Sequence, residues 1–281
     1  MKRILITGAN SFIGTSVETH LAQWPEKYQV DTLDMLDGSW RLKNFAGYDT
    51  VFHVAGIAHQ DSGKITEERK QQYYRVNTGL AIETANKAKA QGVGQFIFMS
   101  SIIVYGAGAR IGQTKNITAD TPAAPAGAYG DSKLRAEQGL LPLDSDQFKV
   151  CILRPPMIYG PGSKGNYPML EKAALRLPFF PDLYNERSML HIDVFKQFMQ
   201  KMIDAGAGGL YFPRNEEYIC TSKLVEQIAL SNGRKIHLTK LFNPFLRMLS
   251  GKIDLVDKVF GNLTYDRSLP GCGVFEHKAG A

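Results

Sequence analysis

The chain has 281 residues, enough for one large domain or one domain with a small C-terminal lobe. Its 44% hydrophobic and 21% charged content is that of a globular enzyme and excludes a disordered or fibrous chain. The net charge of +6 is scattered, with neither an aromatic-interleaved basic strand nor a zinc spacing, which argues against nucleic-acid binding and any metal site.

The N-terminus reads as a short buried strand, Lys2–Thr7. After Lys2 and Arg3 come only Ile4, Leu5 and Ile6, too few for the apolar core of a signal peptide. A helix is predicted over Ile13–Gln23, with Phe12, Ile13, Val17 and Leu21 at helical spacing. Strands follow at Gln29–Leu33 and Thr50–Val54, then a helix at Tyr73–Gln91. A strand at Gln95–Ser100, a helix at Tyr129–Leu140 and a strand at Lys149–Leu153 continue the pattern. Strands separated by helices of this length predict an α/β fold, with a doubly wound parallel sheet covered on both faces.

Past residue 155, prolines and glycines cluster from Pro155 to Pro168, and helices are predicted around Val194–Ala205 and Ser222–Ser231. The expected division is residues 1–155, holding the sheet, and 156–281, a small mixed lobe interleaved with it. Leu238–Phe260 places Leu241, Phe242, Phe245, Leu246, Leu249, Ile253 and Val256 at helical intervals, read as a packing helix pair. The densest basic cluster, Arg234, Lys235, His237, Lys240, Arg247 and Lys252, falls here. It reads mostly as a solvated face, although a basic surface suits an anionic substrate. A membrane-surface helix over Ile236–Ser250 is the less favoured alternative. Ser268–Ala281 reads as irregular. Cys151, Cys220 and Cys272 are far apart and odd in number, which fits a reducing cytoplasm rather than a disulfide scaffold. No apolar run is long enough for a membrane span.

The loop Thr7-Gly8-Ala9-Asn10-Ser11-Phe12-Ile13-Gly14 joins the first strand to the first helix. Glycines there let the backbone turn and approach a pyrophosphate resting on the helix N-terminus. Asp34 ends the next strand, where a carboxylate accepts hydrogen bonds from adenosine ribose hydroxyls and repels a 2′-phosphate. With no arginine in the loop, the reading favours NAD over NADP. Asp37 is either an adenine contact or a loop carboxylate.

Tyr129 and Lys133 stand one helical turn apart, with Ser101 upstream. An ammonium beside a phenol is expected to favour the phenolate and lower its pKa. A serine hydroxyl in reach can hold a carbonyl or alcohol oxygen. The trio suits proton transfer at a sugar or alcohol oxygen while hydride moves at carbon.

With these residues in place, the chain resembles the extended short-chain dehydrogenase/reductase family, in its nucleotide-sugar epimerase/dehydratase branch. The resemblance rests on the glycine loop, Asp49–Ala55, Val76-Asn77-Thr78, Phe98–Gly106, Tyr129–Lys133, Leu153–Gly162 and Arg187–Asp193. It implies a Rossmann-type fold with NAD as cofactor. Tyr129 would be the acid–base residue, and Lys133 would hold the nicotinamide ribose. Ser101 would be the catalytic serine and Ser100 its neighbour. Gly8, Asn10, Ser11, Phe12, Ile13, Gly14, Asp34, Ala55, Gly56, Asn77 and Pro156 would surround the cofactor. The stretch Ser163-Lys164-Gly165-Asn166-Tyr167, Asn166 above all, and Arg187 would face the nucleotide diphosphate of the sugar, beside Ser101 and Tyr129, a guanidinium being suited to phosphate.

Other readings accompany several of these residues. Asn77 is alternatively a helix cap, and Arg187 a surface salt-bridge partner. His53 reads as a satisfied core histidine, and Gly106, Gly108 and Gly112 as a flexible loop. Ser11 replaces the family's usual middle glycine, and Met157 replaces a substrate-contacting asparagine of many sugar epimerases.

The resemblance implies NAD-dependent 4-epimerisation of a nucleotide-linked hexose, of UDP-glucose/UDP-galactose type, in cell-surface polysaccharide synthesis. An NAD(P)H-dependent 4-keto-sugar reductase is the alternative. A non-catalytic NAD-binding regulator is less favoured because tyrosine and lysine are both present. Ile102-Ile103 stand where 4,6-dehydratases usually carry an Asp-Glu pair. A cytoplasmic homodimer is expected.

Overall fold

The computed structural model describes residues 1–57, 65–163 and 165–272. Lys164, and residues 273–281 of the expected irregular tail, lie outside these. The first half runs β1 (Lys2–Thr7), α1 (Phe12–Leu21), β2 (Tyr28–Leu33), β3 (Thr50–His53), α2 (Glu67–Tyr73) and α3 (Leu80–Ala90). It continues through β4 (Gln95–Met99), β5 (Asn116–Ile117), α4 (Ala128–Leu140) and β6 (Lys149–Leu153). Then come β7 (Met157–Tyr159), α5 (Tyr167–Arg176), β8 (Phe179–Pro181), β9 (Met189–His191), α6 (Ile192–Ala205) and β10 (Gly209–Tyr211). The chain closes with α7 (Thr221–Ser231), β11 (His237–Thr239), α8 (Asn243–Leu249), α9 (Asp254–Phe260) and β12 (Thr264–Tyr265).

Six of these strands form a parallel sheet in the order β10-β6-β4-β3-β1-β2. The chain leaves β1 for β2 on one side and returns to β3 on the other, so the order reverses between β1 and β3. In open α/β sheets, ligands bind outside the carboxyl ends of the strands at such a point. Ile4, Leu5 and Ile6 are wholly buried because helices cover both faces. One face packs Val17 and Leu21 of α1 with Phe195, Phe198, Met199 and Met202 of α6. The other packs Ala81, Ala85 and Ala88 of α3 with Ala136 and Leu140 of α4. The sheet takes its last strand from residues 209–211, and α6 covers one face. The sequence boundary at residue 155 is therefore not a boundary in space.

The predicted Tyr73–Gln91 helix differs in detail. Helix α2 starts six residues earlier, at Glu67, where the Thr66 hydroxyl accepts from Arg69 N and Glu67 and Glu68 favour the positive end. A π-turn over Tyr74–Gly79 then joins α2 to α3. Such turns appear where an extra residue re-aims a side chain, and here that side chain is Asn77. The Leu238–Phe260 pair is also only half as expected. Leu246, Leu249, Val256, Val259 and Phe260 pack on the cluster of α5 and α7. Leu241, Phe242, Phe245 and Met248 stay exposed.

Candidate active site

The glycine loop lies at the switch point. Gly8 has φ +87, and a Cβ there would stand 2.8 Å from Ala55 N, so the loop presses on the backbone after β3. Leu33 O accepts from Gly8 N at 2.9 Å and from Ala9 N at 3.2 Å, which sets the exposed Asp34 beside the loop. Asn10 takes a left-handed φ of 64. Ser11 caps α1, its Oγ accepting from Gly14 N at 3.1 Å. The serine in place of a glycine therefore holds the helix end itself. A cleft of about 580 Å³ beside the loop is lined by Asn10, Ser11, Phe12, Pro161, Gly162 and Lys196. Ile13 packs on the core. Asp37 is spent on Ser39, whose N–H and hydroxyl hold its pKa below the usual carboxylate range. That is the loop-carboxylate reading.

Beyond β3, Ala55 and Gly56 meet the π-turn. Asn77 is wholly buried and caps no helix. Its Oδ1 accepts from Ile57 N at 2.8 Å, and its Nδ2 donates to Ile57 O and to Ser132 Oγ. One side chain thus ties the Gly56–Ile57 backbone to α4. A Cβ on Gly56 would stand 3.0 Å from Asn77 Oδ1 and 3.3 Å from Lys133 Nζ. The residues named for cofactor at Gly8, Ala55, Gly56, Asn77 and Lys133 therefore share one wall. At Gly8 and Gly56 the wall is bare backbone, which lets a dinucleotide approach closely. Pro156 is buried after β6, and the neighbouring Pro155 O accepts from Ile102 N at 2.9 Å, joining this loop to the serine segment.

The two serines after β4 separate cleanly. Alternate residues of an extended chain face opposite sides. Ser100 donates its hydroxyl to Glu137 in the interior. Ser101 hydrogen-bonds the Tyr129 side chain. Burial pushes the Tyr129 phenol up to about 12, the Ser101 bond pulling the other way. The Tyr129 ring lies 5.7 Å from that of Tyr73.

Lys133 sits one turn along α4, nearly buried, and Nζ donates to Met99 O at 2.7 Å over the Phe98 ring. Burial pushes its pKa down to about 8, against the favourable charge of Glu137. The expected lowering of the tyrosine by the lysine is therefore not found. Desolvation outweighs it, and the ammonium is turned to a strand carbonyl. Behind Lys133 lies a pair the sequence reading missed. Arg154 Nε donates to Glu137 Oε1 at 3.0 Å, and Arg154 Nη1 donates to Tyr105 OH at 2.5 Å. Its sequence signal was only that Glu137 follows Lys133 by four residues.

His53 is buried on β3, with Nδ1 2.9 Å from Thr7 Oγ1 and Nε2 without a partner. It is thus a half-satisfied core histidine, kept neutral because burial, and then the Lys133 charge, push its pKa down to about 3. Arg187 is no salt-bridge partner. Its Nη1 donates to Gly261 O at 2.8 Å, no carboxylate pairs with it among the described residues, and burial lowers its pKa to about 10. A Cβ on Gly108 would lie 3.9 Å from the same Nη1, so the loop after Ser101 passes this guanidinium. Asn166 is exposed at the start of α5, and no side-chain contact joins it to Ser101, Tyr129 or Arg187. Ser163, from the same expected diphosphate-facing stretch, is buried nearby with its Oγ unpartnered. Among the described residues, no group of acids, histidines and cysteines could hold a metal.

Comparison with known proteins places this geometry. The profile of the NAD dependent epimerase/dehydratase family matches residues 4–211. A UDP-glucose 4-epimerase of Vibrio cholerae is 30% identical over 95% of this chain and 88% of its own length. An N-acetyl-alpha-D-glucosaminyl-diphospho-ditrans,octacis-undecaprenol 4-epimerase of Escherichia coli O157:H7 is 28% identical over 92% of this chain and 81% of its own. The structure of UDP-glucuronic acid 4-epimerase from Bacillus cereus, in complex with NAD, superposes with a TM-score of 0.68 at 19% identity, covering 84% of this chain and 85% of that one. It shows the shared fold. The chain belongs to the NAD dependent epimerase/dehydratase family.

Proposed function

We propose that this enzyme inverts C4 of a hexose carried on a diphosphate, most simply UDP-glucose and UDP-galactose or their N-acetyl forms. The observation that carries the reading is the Ser101–Tyr129 hydrogen bond, with Lys133 buried one turn away against the bare Gly56 backbone. The 4-epimerase relatives support the same position of attack. NAD, when bound, would supply the hydride acceptor and donor for the sugar carbon.

The protein's own groups do the rest. Ser101 holds the sugar O4, and Tyr129 takes and returns its proton. Lys133 supplies the adjacent positive charge and holds the nicotinamide ribose. Gly8 and the α1 N-terminus accommodate the pyrophosphate, and Asp34 the adenosine ribose. Asn77 acts through the Gly56 backbone. Arg187 is reserved for the sugar diphosphate, since no carboxylate among the described residues competes for it. Asn166 is proposed for the same group. Residues 1–155 would carry the cofactor and 156–281 the substrate specificity. Ile102 is buried and Ile103 apolar where dehydration would need acids, so 4,6-elimination is not proposed. A cytoplasmic homodimer in polysaccharide synthesis is proposed on the family resemblance. The three free cysteines support a reducing compartment.

The test is incubation of the purified protein with UDP-glucose, UDP-galactose and their N-acetyl forms, reading C4 configuration and NAD(H) together. Interconversion without net change in cofactor is expected. Stoichiometric consumption of added NADH by a 4-keto sugar, with no interconversion, would replace the epimerase by the reductase.

A further inference from the structure

We propose that the α8 segment docks the protein on an anionic lipid bilayer. Leu241, Phe242, Phe245 and Met248 are 79%, 42%, 57% and 55% exposed. Phe245 and Met248 stand three residues apart on α8, and Leu241 and Phe242 lie in the turn that enters it. The opposite side of the same turn is satisfied, since Leu246 and Leu249 pack on the lobe core. Ile253 and Leu255, at the start of α9, are exposed as well. Single exposed apolar residues need no explanation, whereas a contiguous set rimmed by charge marks an interaction surface.

Charge chooses the occupant. From Ser231 to Lys252 the chain carries Arg234, Lys235, Lys240, Arg247 and Lys252 and no carboxylate. The acids beside it are Asp254 and Asp257 of α9, the latter held by Ser250 Oγ and Gly251 N, and Asp182, so the cations outnumber them. A two-fold contact between copies would set these cations against their own images. An anionic lipid surface offers the opposite sign, with an apolar layer for the four side chains.

The face also borders the site. Ile111 N donates to Ser250 Oγ at 2.9 Å, and Ile111 belongs to the loop that leaves Ser101 and passes Arg187. Docking would therefore present the site to a sugar diphosphate held in a bilayer. That consequence rests on the epimerase reading, whereas the docking does not.

The test is co-sedimentation with vesicles of mixed phosphatidylglycerol and phosphatidylcholine, against phosphatidylcholine alone. The wild type is expected to sediment only with the anionic vesicles and to be released at about 1 M salt. Phe245→Ser/Met248→Ser and Lys240→Glu/Arg247→Glu are each expected to reduce partitioning on the order of tenfold. Turnover of a soluble nucleotide sugar should be unchanged in both, showing that they fold. No binding by the wild type, or equal binding by both variants, would overturn the proposal. So would a dimer in sedimentation velocity that Phe245→Ser/Met248→Ser dissolves. Failure of soluble-sugar turnover in the wild type would instead strike the epimerase reading and leave the vesicle result standing.

Discussion

Glu137 lies one helical turn past Lys133 and closes on Arg154, the two side chains only 2% and 11% exposed. The carboxylate also takes the Ser100 hydroxyl, so one buried acid touches the strand of the serine, the helix of the lysine and the loop after β6. Removing one partner of such a pair leaves an uncompensated buried charge. Glu137→Gln is expected to lower stability by about 3 kcal/mol, read by denaturant unfolding.

The same variant should move a pH profile. Lys133 faces Glu137, Tyr129 and the neutral His53, and only Glu137 favours its ammonium. In the proposed mechanism the site uses the cation, which is lost as pH rises through the lysine pKa of about 8. Glu137→Gln lowers that pKa, so the alkaline fall in kcat should begin at lower pH. A loss of stability with an unmoved alkaline limb would leave Glu137 a structural residue only.

Tyr129→Phe removes one oxygen and keeps the ring against Tyr73. Turnover is expected to fall by about 10²–10⁴, the usual worth of a positioned acid–base group, while stability changes by roughly 1 kcal/mol or less. Near-ultraviolet titration of wild type and variant checks the ground state. Because burial holds the phenol near 12, Tyr129 should contribute no tyrosinate at neutral pH in the cofactor-free protein.

Lys133→Met is expected to separate stability from activity. The lysine pKa is about 8 folded and 10.5 unfolded. Below pH 8 both states carry the proton and the folded state alone bears the penalty of burying it, about 3 kcal/mol before the Met99 hydrogen bond is counted. Between those values the folded form releases the proton first, so this group makes wild-type stability rise with pH. The variant should be more stable than wild type near pH 7, lack that rise and be inactive. Equal stability at neutral pH would show that the Met99 hydrogen bond offsets the burial.

Much of this was legible in the sequence because it is local. The Gly8 loop, Asp34 and the Tyr129–Lys133 turn each follow from spacing within one element or across one βαβ unit. What was not legible depends on burial and on long-range pairing. The charge of Lys133 was visible, but the desolvation that turns it toward Met99 was not. For Asn77 the sequence leaves a helix cap open beside the place at the cofactor, because nothing local announces a π-turn held by Ile57 and Ser132. Glu137 and Arg154 lie 17 positions apart and meet only after β6 pairs with β4. The exposed face of Phe245 and Met248 was hidden by the opposite ambiguity. Apolar periodicity announces a helix but not which of its sides finds a partner.

Gly56→Ala probes the shared wall with a single methyl. Gly56 has no left-handed φ to lose, so the change tests space alone, and the new Cβ meets Asn77 Oδ1 and Lys133 Nζ at 3.0 and 3.3 Å. Both neighbours must give by a few tenths of an ångström, which loosens the Asn77 hold on Ile57 and shifts Lys133 over Phe98. Stability should fall by about 1 kcal/mol, within the lower range for overpacking. NAD affinity and turnover should fall at least about tenfold, since a small misplacement at the reacting centre is costly. Gly8→Ala adds a positive φ of +87 and a backbone contact of 2.8 Å to the same kind of crowding, and should lose more stability and all NAD binding. Calorimetric titration with NAD, alongside thermal unfolding, ranks the two. Wild-type NAD affinity in Gly56→Ala would remove Gly56 from the cofactor wall.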